Sequence, residues 1–164
     1  IDIIGDGKLS ITNEAELREF FNTNMRASKL ETALLEKLKA ETEFDVPQSV
    51  IDAYVQVELD IAEVNAYNTG RELDELLNLS GYASQEEFEK YVAEAAQADL
   101  ESQCILLAVA QAEGLEVTDE ACLEAYGYNM NDLVTLYGYS ESYVRQNVLC
   151  YEALGLLRDT AVVA

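Results

Sequence analysis

The stretch Ile105–Glu120, ILLAVAQAEGLEVTDE, decides the fold of this 164-residue chain. Its first half is apolar and rich in alanine, which favours helix, and Gly114 stands where a left-handed residue would end that helix. Thr118 then offers a side-chain oxygen to the free N–H groups of a following helix, with Asp119 and Glu120 at its positive end. The pattern predicts two helices joined by a short extended step, and it contains no nucleophile or metal cage.

The same start and stop signals recur outward from this junction. One proline and eight glycines, with abundant alanine, leucine and glutamate, predict an all-α protein. We expect an elongated multi-helix domain in which long helices form arms, with residues 1–12 as a leader or linker remnant and residues 13–164 as the helical domain. The predicted helices begin at Asn13, Pro47, Arg71, Ser84, Thr118, Asn131 and Ser140, and the first six end near Ala40, Gly70, Leu79, Val109, Gly127 and Gly138.

The charge of the chain is strongly negative and unevenly distributed. The formal net charge is -22, and residues 41–164 carry twenty-five acidic side chains against four basic ones. Such a surface repels phosphate, so nucleic acid and anionic membranes are excluded as partners. No apolar run is long enough to span a bilayer. We interpret the charge as an acidic coat that keeps a protein with exposed apolar surface soluble. The alternative interpretation is that the charge binds a specific basic partner.

No residue pattern in the chain predicts catalysis or metal binding. There is no histidine, so serine and cysteine lack their usual activating base. The spacing in the segment 2–13 approaches that of a calcium loop, but Ile4 and Asn13 occupy positions where oxygen-rich ligands are needed. Cys104, Cys122 and Cys150 are odd in number and widely spaced, which is typical of buried free thiols in a reducing compartment. We therefore expect no catalytic residue, no metal and no cofactor.

The aromatic residues are the remaining candidates for a functional surface. Ten tyrosines stand against four phenylalanines and no tryptophan. Tyrosine has an apolar face and a polar rim, which suits adaptable contact surfaces, but the same residues could equally be packed between helices. Four tyrosines gather in one short region beside a methionine, at Tyr126, Tyr128, Met130, Tyr137 and Tyr139.

Several sequence motifs, taken in chain order, carry a family resemblance. They are LLEKL at 34–38, FDVP at 44–47, LDELLNLSG at 73–81, the apolar helix 88–107, GLEVTDE at 114–120 and the terminal helix 140–157. Over roughly residues 13–160 this order and spacing resembles the C-terminal domain of trigger factor, the ribosome-associated bacterial chaperone. The junction at 114–120 is also similar to the one that recurs in the wider group of trigger factor and SurA chaperones.

The resemblance implies an ATP-independent chaperone module that binds unfolded or nascent polypeptides in a cleft between helical arms. The family's ribosome-docking and FKBP-like prolyl isomerase domains have no counterpart in this sequence. We therefore expect no enzymatic activity in this chain, and ribosome binding only through the missing N-terminal domain. The side chains expected to contact clients are Phe20, Phe21, Met25, Tyr126, Tyr128, Met130, Tyr137 and Tyr139.

Two alternatives stay open at the level of sequence. The same helices could serve as a structural or dimerisation module without client binding, in which case a homodimer would bury these aromatic side chains. The free thiols and the resemblance favour the cytoplasm, and a SurA-like extracytoplasmic location is the alternative.

Overall fold

The computed structural model describes residues 13–161, so the predicted leader at residues 1–12 lies outside the described residues. Within 13–161 the chain forms seven α-helices and no strand, which confirms the all-α prediction. The helices are α1 (Glu14–Ala40), α2 (Gln48–Thr69), α3 (Leu73–Leu79), α4 (Gln85–Glu113), α5 (Asp119–Tyr126), α6 (Met130–Thr135) and α7 (Glu141–Thr160).

The predicted helix caps are formed by the expected side chains. Asn13 Oδ1 accepts a hydrogen bond from the backbone N–H of Glu16 over 3.0 Å at the start of α1. Thr118 Oγ1 accepts one from the N–H of Ala121 over 3.1 Å at the start of α5. Each bond satisfies a donor that the first helical turn leaves free. Local sequence therefore determines where these two helices begin.

Two helix starts differ from the prediction. Helix α6 begins at Met130 rather than at Asn131, because Asn129 is the cap and accepts from the N–H of Asp132 over 2.9 Å. Helix α3 begins at Leu73, two residues later than predicted, since the residue before it has extended backbone angles. In both places an extended residue next to a run of helix formers shifts the boundary.

Helix α4 extends four residues beyond Val109 and stops at Glu113, directly before the glycine that the junction predicts as its end. Gly114 adopts a left-handed conformation with φ 67°, and the N–H of Leu115 donates to the carbonyl of Ala110 over 2.9 Å. This arrangement is the Schellman motif, in which the glycine lets the chain turn back and satisfy a free carbonyl. The first half of the junction that suggested the fold is therefore helical up to its glycine.

The described chain divides into two compact units, and α4 contributes to both. The first unit contains residues 13–41 and 106–161. Its core has two clusters of buried side chains, one between α5, α6 and α7 and one between α4 and α7, with Leu35 of α1 against the second. The buried members are Cys122, Leu133, Val144 and Val148 in the first cluster and Leu106, Ala110 and Ala153 in the second.

Arg145 fastens α7 to the segment that precedes α5. Its Nη1 donates to the carbonyl of Val117 over 3.1 Å, and its guanidinium also pairs with Asp119. Its Nε donates to Glu141 Oε1 over 2.9 Å. The two carboxylates raise the pKa of the guanidinium, first through the hydrogen bond that it donates to Glu141. A single charged side chain thus holds the cap of α5 against α7.

The second unit contains residues 42–105 and has its own core. Aliphatic side chains from α2, α3 and the first part of α4 are buried in it, and the ring of Tyr82 lies 5.2 Å from that of Phe88 and 5.5 Å from that of Tyr91. The buried side chains are Ile51, Leu59, Ala62, Ala66, Leu77, Val92, Ala96 and Ile105.

Candidate functional site

Three exposed tyrosines between α5 and α7 and a fourth at the start of α7 form two contacting pairs, which we together call the tyrosine surface (Tyr128, Tyr137, Tyr139 and Tyr143). The rings of Tyr128 and Tyr137 have centroids 4.9 Å apart, and those of Tyr139 and Tyr143 are stacked at 5.7 Å. Tyr128 and Tyr137 are 47% and 50% exposed. Exposed rings that touch one another offer apolar area that no part of the described chain covers.

Local sequence places these rings in two short loops. Gly127 and Gly138 take left-handed conformations with φ 72° and 74°, which turn the chain at either end of the short helix α6. The N–H of Tyr139 donates to the carbonyl of Leu133 over 3.1 Å, so the second loop is fastened to the end of that helix. Leu133 itself is buried. The tyrosine surface therefore lies on a packed core.

Two of the predicted contact residues lie below this surface. Tyr126 and Met130 are half-buried and pack against the cluster of Cys122 and Leu133. The centroid of the Tyr126 ring lies 6.4 Å from that of Tyr139, so the half-buried ring is next to an exposed one. Most of their area is engaged within the chain, and a direct contact between either residue and a client stays a prediction.

The other predicted residues form a separate patch on α1. Phe21 and Met25 are both exposed and lie one helical turn apart, whereas Phe20 is half-buried. The Phe20 and Phe21 rings meet edge to face at 5.8 Å. Between residues 13 and 161, no ring contact joins this pair to the tyrosine surface. The eight predicted residues therefore fall into two groups.

A groove between α5 and α7 was not predicted from the sequence. It encloses about 440 Å³, and the strongly exposed ring of Tyr151 and the carboxylates of Glu124 and Glu152 line it. A lining that combines apolar side chains with two carboxylates suits a ligand that is both apolar and cationic. The groove adds carboxylates to the apolar area that the first unit already presents.

Sequence reasoning also missed an exposed apolar face on α2, which we call the α2 stripe (Val50, Tyr54, Val57, Ile61 and Val64). All five side chains are exposed, by 37% to 57%. The opposite face of the same helix supplies Ile51, Leu59, Ala62 and Ala66 to the core. The signal was present, because the stripe repeats with alternating steps of four and three residues. The sequence pattern did not reveal the stripe, because the buried apolar residues of α2 repeat with the same helical period.

The thiols differ in environment. Cys122 is buried and Cys150 half-buried, and burial raises the pKa of both. Cys104 is exposed, so the prediction that all three are buried is wrong at this position. The next two residues of the helix, Ile105 and Leu106, are buried, whereas Cys104 faces away from the core. A raised pKa disfavours the thiolate, so the two covered cysteines are poor nucleophiles.

The remaining polar and ionisable side chains of the described residues form no buried site. Between residues 13 and 161 there is no buried charged or polar side chain, and no three Cys, Asp or Glu side chains converge as metal ligands would. A hydrogen bond with Tyr128 raises the pKa of the Tyr137 hydroxyl. None of the helices in the described range is long and apolar enough to cross a membrane. What the residues offer is apolar and aromatic contact beside carboxylates.

Comparison with known proteins identifies the family. Residues 13–149 match the family described as bacterial trigger factor protein (TF) C-terminus. The chain belongs to this family of trigger factor C-terminal domains. It is also 32% identical over 99 residues to the trigger factor of Nocardia farcinica, an alignment that covers 60% of this chain and 21% of that protein. The chain thus spans about a fifth of the length of this curated relative. No solved structure matches it.

Membership in the family has a direct functional meaning. The matched region is the chaperone part of trigger factor and not its prolyl isomerase domain. The chain is therefore a chaperone-type module, with two compact helical units that each present exposed apolar side chains.

Proposed function

We propose that this chain holds unfolded or nascent polypeptide segments without ATP, and that the tyrosine surface is one of the places where it contacts them. The observation that carries the proposal is the exposure of two contacting ring pairs, Tyr128 with Tyr137 and Tyr139 with Tyr143, on a packed core. Tyrosine rings can contact many apolar sequences because each offers a large apolar area together with a hydroxyl that can hydrogen-bond at its rim. A holding chaperone requires this tolerance.

The charge of the chain supports the same role. A protein that exposes apolar surface must avoid association with its own copies, and a strong net charge opposes such association. Here the formal net charge is -22. Carboxylates such as Glu124 and Glu152 at the groove between α5 and α7 would also attract Lys and Arg side chains of a client. The proposal therefore covers both apolar and basic client segments.

Two further activities of trigger factor are not expected in this chain. Ribosome attachment and prolyl isomerisation belong to other trigger factor domains, and this chain contributes client holding in the cytoplasm. A prolyl isomerase assay on the 164-residue chain should give no rate above the uncatalysed one. A clear catalytic rate would contradict this assignment.

The test is suppression of aggregation. We expect the chain, at near-stoichiometric ratio, to reduce light scattering from a chemically unfolded client, with only modest weakening in high salt because the contact is mainly apolar. The variant Tyr128→Ser/Tyr137→Ser should suppress less at the same ratio. Both residues lie in loops, so the replacement leaves the helices intact.

The matched control replaces two other exposed apolar side chains, Tyr67→Ser and Leu79→Ser, which lie outside the tyrosine surface and the α2 stripe. It should suppress as well as the unchanged chain. Equal suppression by all three proteins would remove the tyrosine surface from the proposal. Absence of suppression at any ratio, with a dimer in sedimentation at tens of micromolar, would instead support the structural module.

A further inference from the structure

Tyr128 and Tyr137 are the closest pair of aromatic rings among residues 13–161, with centroids 4.9 Å apart and ring planes inclined by 55°. Both side chains are about half exposed. A hydrogen bond with Tyr128 raises the pKa of the Tyr137 hydroxyl, so the two phenol groups lie side by side. Two phenols that are in contact and open to solvent are well placed to react with each other, because their encounter is already made.

The fold keeps this pair of rings together. Tyr128 lies in the loop before α6 and Tyr137 in the loop after it. The second loop is fastened to α6 by the hydrogen bond from the N–H of Tyr139 to the carbonyl of Leu133, whose side chain is buried. The loops therefore stay in place on a packed core, while the two exposed rings can still rotate about their side-chain bonds.

The other tyrosine pairs of the described chain are less well placed for a bond between ring edges. Tyr139 and Tyr143 are stacked with their planes only 22° apart, so that faces oppose each other and not edges. The rings of Tyr82 and Tyr91 are 5.5 Å apart, and Tyr82 is half-buried in the core of the second unit. Only the pair on either side of α6 combines the shortest separation with tilted planes and two exposed rings.

We propose that Tyr128 and Tyr137 are a modification site, at which a one-electron oxidant joins the two rings into a dityrosine within one chain. The oxidant is of the class supplied by a haem peroxidase acting with hydrogen peroxide. The new bond ties the loop before α6 to the loop after it and fixes the distance between two rings of the tyrosine surface. This inference goes beyond client holding and does not depend on it.

The coupling removes two electrons and two protons in total. Each phenol gives up one electron and one proton and becomes a tyrosyl radical. The two radicals form a carbon–carbon bond between the ring carbons beside their hydroxyls, and the hydrogen on each of these carbons moves to the phenol oxygen through solvent. The electrons and protons that the phenols lost reduce one hydrogen peroxide to two water molecules. Coupling between separate chains is disfavoured, because the net charge of -22 keeps copies apart.

The experiment treats the full 164-residue chain with a haem peroxidase and hydrogen peroxide. The chain carries Cys104→Ser, because the exposed thiol would otherwise be oxidised as well. Since the sequence has no tryptophan, dityrosine fluorescence is read without tryptophan emission. We expect this fluorescence in monomeric chains, and it should resist thiol reductants. Cleavage before Asp132 separates the two tyrosines, so mass spectrometry should show the two peptides joined, with a mass two hydrogen atoms below their sum.

Two matched variants assign the reacting rings. Tyr137→Phe keeps an aromatic ring in the loop and removes only the hydroxyl, so it should lose most of the dityrosine fluorescence while circular dichroism stays unchanged. Tyr151→Phe is the control, since Tyr151 is strongly exposed but touches no other ring between residues 13 and 161. This control removes one accessible phenol as well, and it should retain the fluorescence of the unchanged pair.

The outcomes keep this inference apart from the proposed function. No dityrosine fluorescence, or fluorescence that Tyr137→Phe leaves unchanged, would overturn the inference. Fluorescence confined to chain dimers would also overturn it, because the bond would then form between copies. A chain that couples Tyr128 to Tyr137 but does not suppress aggregation before oxidation would contradict the proposed function and leave the modification site standing.

Discussion

Arg158 Nη1 donates a hydrogen bond to Glu31 Oε1 over 3.0 Å and so joins the last turn of α7 to the middle of α1. The two residues are 127 positions apart in sequence. Glu31 is half-buried and the aliphatic part of the same interface includes Leu35, Leu154 and Leu157 around the cluster of Ala110 and Ala153. The ion pair therefore lies at the rim of the apolar contact between these two helices.

Replacement of Arg158 by alanine should lower the free energy of unfolding of this unit by a small amount. The pair is partly exposed, so water and salt weaken its attraction. Urea unfolding of Arg158→Ala, Glu31→Gln and the double variant measures the coupling between them. The coupling should shrink as salt is added. Losses that simply add, with no coupling at low salt, would mean that the pair contributes nothing to stability.

Two leucines at one short helix provide an internal comparison of buried and exposed positions. Leu133 is 2% exposed and Leu136 is 74% exposed. We expect Leu133→Ala to cost about 3 kcal/mol of unfolding free energy, because it leaves a cavity in the cluster with Cys122 and Val144. Leu136→Ala should change it by no more than about 0.5 kcal/mol. Equal losses in urea unfolding would contradict the core as described.

The contribution of the α5 cap can be tested by removing one hydroxyl group, that of Thr118. Thr118 Oγ1 accepts the N–H of Ala121, and alanine at this position would leave that donor to water. We expect Thr118→Ala to lower the unfolding free energy by about 1 kcal/mol and Thr118→Ser to retain most of it. Thermal unfolding followed by circular dichroism distinguishes the two. If the serine variant lost as much as the alanine variant, the hydroxyl would not be the stabilising group.

The three thiols should react at different rates. Cys104 is exposed and should be labelled first by a maleimide, followed by the half-buried Cys150, with Cys122 labelled only as the unit opens. Mass spectrometry of peptides after timed labelling assigns each site. Cys104→Ser should remove the fast phase alone. A fast phase that survives this replacement would place another thiol at the surface.

The same thiols predict how stability depends on pH. Burial raises the pKa of Cys122 and Cys150 above the ordinary value of 9.0, so their folded forms hold the proton more tightly than the unfolded chain does. This contribution is complete below the unfolded pKa and is lost as pH rises through the folded one. Unfolding free energy should therefore fall above about pH 9. A variant with Cys150→Ala should show a shallower decline.

Much of the local structure followed from short-range signals. Asn13, Ser84, Thr118 and Ser140 cap helices where sequence indicated, because a cap involves only the next three residues. The predicted start of α6 was wrong by one residue. Asn129 and Asn131 are both able to cap a helix, and only the folded loop selects between them. Boundary errors of this size are expected where two capping residues lie close together.

The candidate surfaces were also predicted only in part from the sequence. The region between residues 126 and 139 was identified from tyrosine content, yet its members separate into the exposed Tyr128, Tyr137 and Tyr139 and the half-buried Tyr126 and Met130. The α2 stripe was not recognised, although its residues were visible in the sequence. Period alone shows that a face is apolar, and it does not tell which of two apolar faces meets the core.

What the sequence by itself determined was the helical class, most helix boundaries, the acidic charge and the family, because these depend on residue type and on contacts within a few positions. Only the tertiary structure decided which apolar side chains are buried, that α1 meets α7 through Glu31 and Arg158, and that two separate units each expose an apolar surface. Those features depend on contacts between residues far apart in the chain, and such contacts form only when whole helices pack together.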